Sequence, residues 1–484
     1  MNILIILPSF LALVLGFICL KIKGDKKEAK TALLFTSIIS IVNIAVIFSL
    51  YNESLVLFKF TENLILAFKI DGLASVFVIL ISFLWPLATL YATKYMTHEG
   101  HLHRFFSLYT LTYGIVVGLS FASNALTMYL FFELLTFVTF PLVSFHDNAR
   151  DRHAGKIYMQ YSIWGAAISF IGLSIYIYYV GSFDFNFNDF SGPNNPSLYL
   201  AYVLMFVGFS VKAAIFPMYK WLPAAGVAPT TTTALLHAVA VVKSGLIAVM
   251  RVTYFMFDIE FLKGTIAQHT VLTLAIITIV LGSSLAVKSK HLKRRFAYST
   301  MSQLSYILLA VASMSTFGLT IAILHLIFHA LIKIVIFYTA GNVLYVDHKE
   351  NIKDIEGYGN VMKTTFICFT ISSLSLIGIP PLGGFASKIG IGFSMANLNN
   401  IFGIMGIVAL MISALLTAIY LLQIVFLAFL PHDDFDYSKI AKLKVPPLEM
   451  RLPLVIITSV MVVLSLYSND LLKLINYLVV GGIN

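Results

Sequence analysis

Long apolar runs separated by short polar connections make up most of this chain. A transmembrane α-helix needs about 20 consecutive apolar residues, which sets the length of run to look for. About fourteen such runs occur, near residues 3–22, 31–51, 73–93, 105–122, 125–145, 157–180, 198–219, 229–250, 269–287, 297–314, 317–345, 364–396, 404–430 and 452–468. The runs 317–345 and 364–396 exceed what a straight span requires, so tilt or a break must absorb the excess.

The composition agrees with this pattern. The chain has 484 residues, of which 59% are hydrophobic and 11% are charged, whereas soluble domains carry roughly 25% charged residues. No polar connection is long enough to hold a catalytic core. The two cysteines, Cys19 and Cys368, lie in apolar runs and form neither a disulfide framework nor a metal motif. We therefore predict an all-α polytopic membrane protein with about 14 transmembrane helices.

Positive charges concentrate on one side of the predicted membrane. If successive connections alternate sides, 23 of the 32 lysines and arginines lie on the side reached after the first span, 5 lie on the other side and 4 fall inside apolar runs. The positive-inside rule assigns the first side to the cytoplasm, so both termini are predicted outside it. The first residues, MNILIILPSF, lack a basic segment and are interpreted as a retained first helix.

Two of the predicted spans contain helix-breaking residues. The seventh carries Pro217, and the twelfth carries Pro380, Pro381, Gly383 and Gly384. Proline removes a backbone donor and clashes with the preceding turn, and irregular backbone at membrane depth is tolerated only where protein or a cavity surrounds it. Broken helices at corresponding places indicate inverted repeats. Since spans 7 and 12 are five apart, we predict two inverted five-helix repeats with broken helices 7 and 12.

This repeat divides the chain into four parts. Residues 1–104 hold spans 1–3, residues 105–255 form repeat one with spans 4–8, residues 265–430 form repeat two with spans 9–13, and residues 431–484 hold span 14 and a tail.

Ionisable side chains lie inside several of the apolar runs. One carboxylate, Glu133, accompanies four lysines and three histidines, namely Lys212, Lys243, Lys333, Lys388, His237, His325 and His329. His325, His329 and Lys333 are spaced four residues apart, which drifts only about 40° per step and gives one polar stripe on a helix. One or two such groups could snorkel to the interface or form structural pairs, but so many intramembrane ionisable groups favour a functional role. Because burial lowers the pKa of lysine, a neighbouring carboxylate can decide whether it holds a proton. The pattern therefore favours a proton path over a site for a bulky solute.

Motifs along nearly the whole chain resemble the antiporter-like membrane subunits of complex I, membrane-bound hydrogenases and multisubunit Mrp sodium/proton antiporters. The similarity is carried by WLPAAGVAPTTTTALLHAVAVVKSG (221–245), DGLASVF (71–77), FFELLTFVTFPLV (131–143), KRRFAYSTMSQLSY (293–306), HLIFHALIK (325–333) and PPLGGFASK (380–388). The resemblance implies fourteen helices, inverted repeats and a chain of charges at mid-membrane. It identifies Glu133 as the carboxylate that pairs with Lys212, with Lys243, Lys388 and the stripe of α-helical spacing completing the row. Two positions depart from the family pattern: Tyr219 replaces a histidine, and Ser305 replaces the glycine of an "SQxG" element.

Within this family, the chain is most similar to the D-type chain of Mrp antiporters. A lysine on span 12 occurs in Mrp D and in the L and N types of complex I, while the wording of the WLP and LLHA segments is closer to Mrp D and hydrogenase subunits. The absence of a long C-terminal extension for a lateral helix argues against the L type.

Three functional readings remain open at this point. The first is a proton- or sodium/proton-translocating subunit, either of an Mrp antiporter or of a complex I-type or hydrogenase-type respiratory complex. The second is a stand-alone secondary solute transporter, and the third is a structural scaffold. No catalytic residue, cofactor or metal site is predicted in this chain, although a place in an oxidoreductase (translocase) complex stays open. The expected partners are further membrane subunits including antiporter-like ones, the lipid bilayer, protons and, as an open alternative, Na+, but no nucleic acid. The expected location is the inner membrane of a prokaryote.

Overall fold

The structure is a computed structural model that describes residues 2–61, 64–186, 190, 192–193, 195–432 and 435–481. Apolar helices dominate it. Those of the first half are α1 (Leu7–Cys19), α2 (Asp25–Ser49), α3 (Gly72–Tyr95), α4 (Leu102–Phe121), α5 (Ala125–Val143), α6 (Ala149–Val180), α7 (Pro196–Ser210), α8 (Trp221–Ala224), α9 (Thr230–Ala234) and α10 (Val241–Arg251).

The second half continues the same pattern. Its helices are α11 (Ile259–Leu262), α12 (Ile266–Lys288), α13 (Leu292–Ala312), α14 (Thr316–Asp347), α15 (Tyr358–Val361), α16 (Lys363–Ile377), α17 (Gly383–Ala396), α18 (Ile401–Phe429), α19 (Ser438–Ala441), α20 (Leu448–Leu466) and α21 (Ser468–Val479). Short 3₁₀ turns occupy Asn2–Ile5, Met96–His98, Ala225–Val227 and Ile352–Ile355, and π-helical segments occupy Leu235–Val239 and Val252–Met256.

The helical membrane fold is confirmed. In the described part of the chain, ten helices are long and apolar enough to cross a membrane, and α1, α7 and α16 are shorter apolar helices within predicted spans. The count of fourteen spans stays a prediction, because several predicted spans are built from shorter pieces. The long run 317–345 is the unbroken helix α14, whereas the run 364–396 is divided into α16 and α17.

One small element departs from the all-α expectation. An antiparallel hairpin joins β1 (Ser54–Lys59) to β2 (Ile65–Lys69), with Leu55 opposite Phe68. Both segments are rich in apolar and aromatic residues but are far too short to span a membrane. Strand pairing satisfies their backbone groups in the connection between α2 and α3.

An inner layer of helices is shielded from the surroundings by an outer one. Within their most apolar windows, 89% of α4 and 100% of both α14 and the helical stretch Thr230–Met256 are buried, against 39% for α2, α18 and α20. Every residue of α14 from Gly318 to Val343 is buried. Polar side chains on α14 therefore lie away from lipid, where only other protein groups or water can meet them.

The break in the seventh span begins earlier than predicted. Helix α7 ends at Ser210, and an irregular stretch covers residues 211–220 before α8. Pro217 cannot donate a backbone hydrogen bond, and it restricts the residue before it. Ala214 adopts a positive φ of 59°. Lys212 therefore lies inside the irregular stretch, and the expectation that it precedes the break by a full turn was wrong.

The break in the twelfth span follows α16. Gly378 ends that helix with φ of 98°, a conformation that favours glycine. Pro380 and Pro381 lie in the break, but Gly383 and Gly384 form the first turn of α17 instead of the break itself. A Cβ on Gly384 would lie 1.8 Å from the carbonyl oxygen of Ser375, so this glycine allows the two half-helices to meet closely.

Candidate functional site

The candidate residues occupy elements that converge on the buried interior. Glu133 is on α5, Lys212 is in the break after α7, His237 is in the π-helical segment Leu235–Val239, and Lys243 is on α10. His325, His329 and Lys333 are on α14, and Lys388 is on α17. Six of the eight are almost fully buried, while Glu133 and Lys388 are partly buried. The term "buried row" is used below for these eight residues.

At one end of the buried row, Lys212 is held by Phe132. Its Nζ donates a hydrogen bond to the Phe132 carbonyl oxygen and lies 3.5 Å from the centroid of the Phe132 ring. Glu133, the next residue, is close enough to interact electrostatically with Lys212. Both residues are described, and no ion pair within 4.0 Å joins them in this structure. The Glu133 Oε1 atom is buried and has no hydrogen-bond partner among the described protein groups.

Lys243 and His329 form the centre of the buried row. The Lys243 Nζ lies 2.7 Å from His329 Nδ1 and 3.4 Å from the carbonyl oxygen of His237. Lys243 makes no ion pair with a carboxylate in the part of the chain that the structure describes. Two basic groups in hydrogen-bond contact without a counter-charge cannot both be protonated at low cost. This geometry suits a single proton held between them.

A π-helical turn places His237 beside this pair. The Ala240 N–H donates to the Leu235 carbonyl oxygen, five residues back, at 2.9 Å. The extra residue in the turn displaces the His237 carbonyl oxygen towards Lys243. Such single π-turns are frequent at functional sites. The segment LLHAV contains no proline or glycine, so nothing in the sequence marks this irregularity.

The three stripe residues of α14 share one buried helix, as predicted, but contact three different elements. His325 Nδ1 lies 2.9 Å from the Ser387 hydroxyl on α17, and His329 meets Lys243 on α10. Lys333 Nζ donates to the Ser299 hydroxyl on α13 at 2.7 Å. The stripe therefore connects the elements on both sides of α14.

At the other end of the buried row, Lys388 faces the broken twelfth span. Its Nζ donates to the carbonyl oxygens of Leu376 and Ile377 at 2.6 and 3.2 Å. These carbonyls end α16, and the C-terminus of a helix attracts positive charge. The half-helix thus supplies the counter-dipole for a lysine that has no carboxylate partner in the described chain.

Several buried polar atoms along the buried row have no hydrogen-bond partner among the described protein groups. They include both ring nitrogens of His237, Nε2 of His325, Nε2 of His329 and the amide of Gln303. Buried polar groups are ordinarily satisfied by protein or ordered water. These atoms therefore mark places where water molecules suit the interior.

Sequence reasoning missed two buried cations at helix ends. Lys293 and Arg251 were expected in connections, but Lys293 is 5% exposed and Arg251 is 2% exposed. Arg251 makes a bidentate ion pair with Asp71 in which Nη2 lies 2.8 Å from Oδ1. Lys293 Nζ donates to the Ala228 carbonyl oxygen at 2.9 Å. Their burial follows from tertiary packing, which sequence position alone does not reveal.

Lys293 lies at the inner end of a polar cavity of about 280 Å³, on the side predicted to be cytoplasmic. His146 on its wall bonds Glu99 at 2.8 Å and Asp151 at 3.1 Å. The hydrogen bond to Glu99 raises the pKa of His146; burial raises the pKa of Glu99, but the bond from His146 leaves it below its ordinary value overall. The hydrogen bond from His291 lowers the pKa of Glu350 to about 2. The cavity thus carries groups of both signs around Lys293.

Comparison with known proteins agrees with this arrangement. Residues 122–419 match the family described as "NADH:quinone oxidoreductase/Mrp antiporter, TM", and residues 61–106 match the N-terminal family of complex I chain 5. The chain is 32% identical over 328 residues to a probable K(+)/H(+) antiporter protein of Rhizobium meliloti (strain 1021), its A/B subunit, covering 66% of this chain. It is 32% identical over 389 residues, 76% of this chain, to the chloroplastic NAD(P)H-quinone oxidoreductase subunit 5 of Ranunculus macranthus. The chain spans only 32% and 50% of these two relatives.

Two solved structures share the fold. A chain of the Mrp complex from Dietzia sp. DQ12-45-1b superposes with a TM-score of 0.85 at 21% identity, over 99% of this chain and 52% of that one. A chain of the membrane-bound sulfane sulfur reductase, an archaeal respiratory membrane complex, gives 0.83 at 20% identity over 99% and 96%. The motifs, the broken helices and the extent of the family match lead to one conclusion: this chain belongs to the family of antiporter-like membrane subunits shared by NADH:quinone oxidoreductases and Mrp antiporters.

Proposed function

We propose that this chain translocates protons along the buried row as one component of a multisubunit membrane complex. The observation that carries the proposal is the contact between Lys243 and His329, at 2.7 Å, in a place with no neighbouring carboxylate among the described residues. A lysine and a histidine so arranged can exchange one proton, whereas a purely structural pair would be expected to join opposite charges. Coupling to Na+ is the open alternative within the same proposal.

Protons would reach the row from the polar cavity at Lys293. Lys333 Nζ donates to the Phe296 carbonyl oxygen at 3.3 Å as well as to Ser299. Lys293 and Ser299 are six residues apart on α13, or about 9 Å along a helix axis. Two turns of one helix therefore separate the cavity from Lys333, a distance that one or two water molecules can bridge.

The two broken helices support the division into inverted repeats, residues 105–255 and 265–430. Each proposed repeat contributes one broken span with a buried lysine, Lys212 in the first and Lys388 in the second. Broken helices carry ion sites in transporters built from such repeats. The remaining parts, residues 1–104 and 431–484, would flank the two repeats.

The parent complex would be an Mrp-type antiporter, with this chain most like its D subunit, in the inner membrane of a prokaryote and with both termini outside the cytoplasm. The D-type assignment depends on Lys388 and on the WLP and LLHA segments. A redox-driven respiratory complex is the second candidate, since the relatives include one chain of a quinone oxidoreductase and the fold recurs in the sulfane sulfur reductase. A pH gradient that follows added Na+ or K+ would favour the antiporter, and one that follows an electron donor would favour the respiratory complex.

Substitution of Lys388 tests this function. In inverted vesicles that carry the complete complex, Lys388→Ala should block proton movement, measured by quenching of a pH-sensitive dye. Lys388→Glu should keep part of it, because a carboxyl group can also hold a proton at that place. Lys363→Ala is the matched control, since Lys363 is an exposed lysine at the start of the same broken span. Normal movement in the Lys388→Ala variant would rule out a proton path that ends on α17.

A further inference from the structure

A second cavity, of about 660 Å³, opens where α5 ends and α6 begins. Phe140 and Pro141 of α5 form one wall, and Met159 and Ile163 of α6 form another. Arg104 at the start of α4 and Arg152 and Lys156 at the start of α6 line its polar end. The cavity lies on the side predicted to be cytoplasmic, away from the buried row.

The polar end of this cavity carries a net positive charge. Its cations are Arg104, Arg152 and Lys156, and Asp147 is the one acid among the described residues that line it. Asp147 pairs with Arg152 at 3.6 Å, with both side chains exposed. Arg104 and Lys156 make no ion pair with any described acid. The N-terminus of α6, with its positive dipole end, adds to the same field. The cavity therefore favours an anion.

The other end of the cavity is apolar and continues onto the outer surface. Ile163 is 56% exposed and the neighbouring Phe137 is 63% exposed, both on helices that face the surroundings. Arg152 and Ile163 are eleven residues apart, or about 16 Å along a helix. A ligand that fills the cavity must therefore carry its charge at one end and apolar chains at the other.

We propose that this cavity binds one anionic phospholipid of the cytoplasmic leaflet. Its phosphate would lie among Arg104, Arg152 and Lys156, and its acyl chains would lie against Phe140, Met159 and Ile163. Basic pockets between transmembrane helices on this side of a membrane suit anionic headgroups, and arginine binds phosphate in a bidentate manner. A second basic cavity, about 380 Å³, contains Lys288, Lys290 and Arg294 but lacks a comparable apolar wall, so it does not meet the same requirement.

Lipid retention by the purified complex tests this site. After exchange into detergent, native mass spectrometry would compare bound phosphatidylglycerol with bound phosphatidylcholine. The wild type should retain phosphatidylglycerol selectively, and the double variant Arg104→Gln/Lys156→Gln should bind it about tenfold more weakly or worse, because each basic residue contributes to attraction of an anionic lipid. The control Lys23→Gln/Lys26→Gln removes two exposed lysines from the same predicted side and should leave retention unchanged.

Further arms separate a lipid from other occupants. Met159→Gln should weaken retention of the long-chain lipid, and inorganic phosphate alone should not displace it. Displacement by phosphate at equal concentration would overturn the proposal in favour of a small-anion site. Cross-linking of a cysteine placed at Lys156 to another protein chain of the complex, with no lipid retained, would overturn it in favour of a protein partner. Unchanged lipid retention in the Arg104→Gln/Lys156→Gln variant would also overturn it.

Discussion

Loss of Lys243 should abolish ion translocation by the assembled complex. The Lys243 Nζ touches both His329 Nδ1 and the His237 carbonyl oxygen, so it joins α10, α14 and the π-helical turn at one atom. Without it, a proton on α14 has no ionisable neighbour on α10. We expect the rate in Lys243→Ala to fall by about 100-fold or more, because a positioned proton-transfer group typically contributes 10²–10⁴-fold.

Two further variants separate transport from packing. Lys243→Met preserves most of the side-chain volume and should be equally inactive. Ser244→Ala alters the adjacent buried residue, whose hydroxyl bonds the Val241 carbonyl oxygen within the same helix, and should transport normally. Dye quenching in inverted vesicles measures transport, and native gel electrophoresis checks assembly. An assembled, fully active Lys243→Met variant would contradict a proton path through the centre of the row.

Loss of Glu133 should have an equally large effect on transport but little effect on assembly. Its Oε1 has no hydrogen-bond partner among the described groups, and it makes no ion pair with Lys212. Removing the carboxylate therefore breaks no observed ion pair, so a purely structural role predicts a mild result. Because Glu133 is the one acid predicted at mid-span, no other residue can take its place as the charge that controls Lys212.

The measurement for Glu133→Ala is the same vesicle assay, together with the amount of assembled complex. Glu260→Ala is the matched control, since Glu260 is an exposed acid that pairs with the exposed Lys263. We expect normal assembly of both variants and loss of transport by Glu133→Ala alone. Transport close to the wild-type rate in Glu133→Ala would exclude a controlling role for this carboxylate.

The sequence was sufficient to predict which helices carry the ionisable residues. Apolar run length predicted the membrane fold, and prolines predicted both breaks, because these signals are local. The four-residue spacing of His325, His329 and Lys333 predicted one buried stripe on α14 correctly. It did not predict that these side chains contact α17, α10 and α13 respectively, since a partner depends on how helices pack around the stripe.

Other features depend on packing that leaves no local signal. The π-helical turn at His237 lies in LLHAV, which has the composition of an ordinary helix. Lys293 and Arg251 lie next to helix ends, where a lysine or arginine commonly reaches solvent. Here the ends are covered by neighbouring elements, and Arg251 finds Asp71, 180 residues away along the chain. Only the three-dimensional arrangement could place them.

The central claim is that lysines of the buried row carry protons, and Lys212→Arg tests it most directly. Arginine can still donate to the Phe132 carbonyl oxygen and lie over the Phe132 ring, so it preserves both contacts of Lys212. It keeps its charge at all accessible pH values and cannot release a proton. Proton movement in inverted vesicles with the complete complex should therefore be lost in Lys212→Arg while assembly is normal. Transport at the wild-type rate by this variant would mean that Lys212 is a fixed structural charge, and it would contradict the proposed proton path.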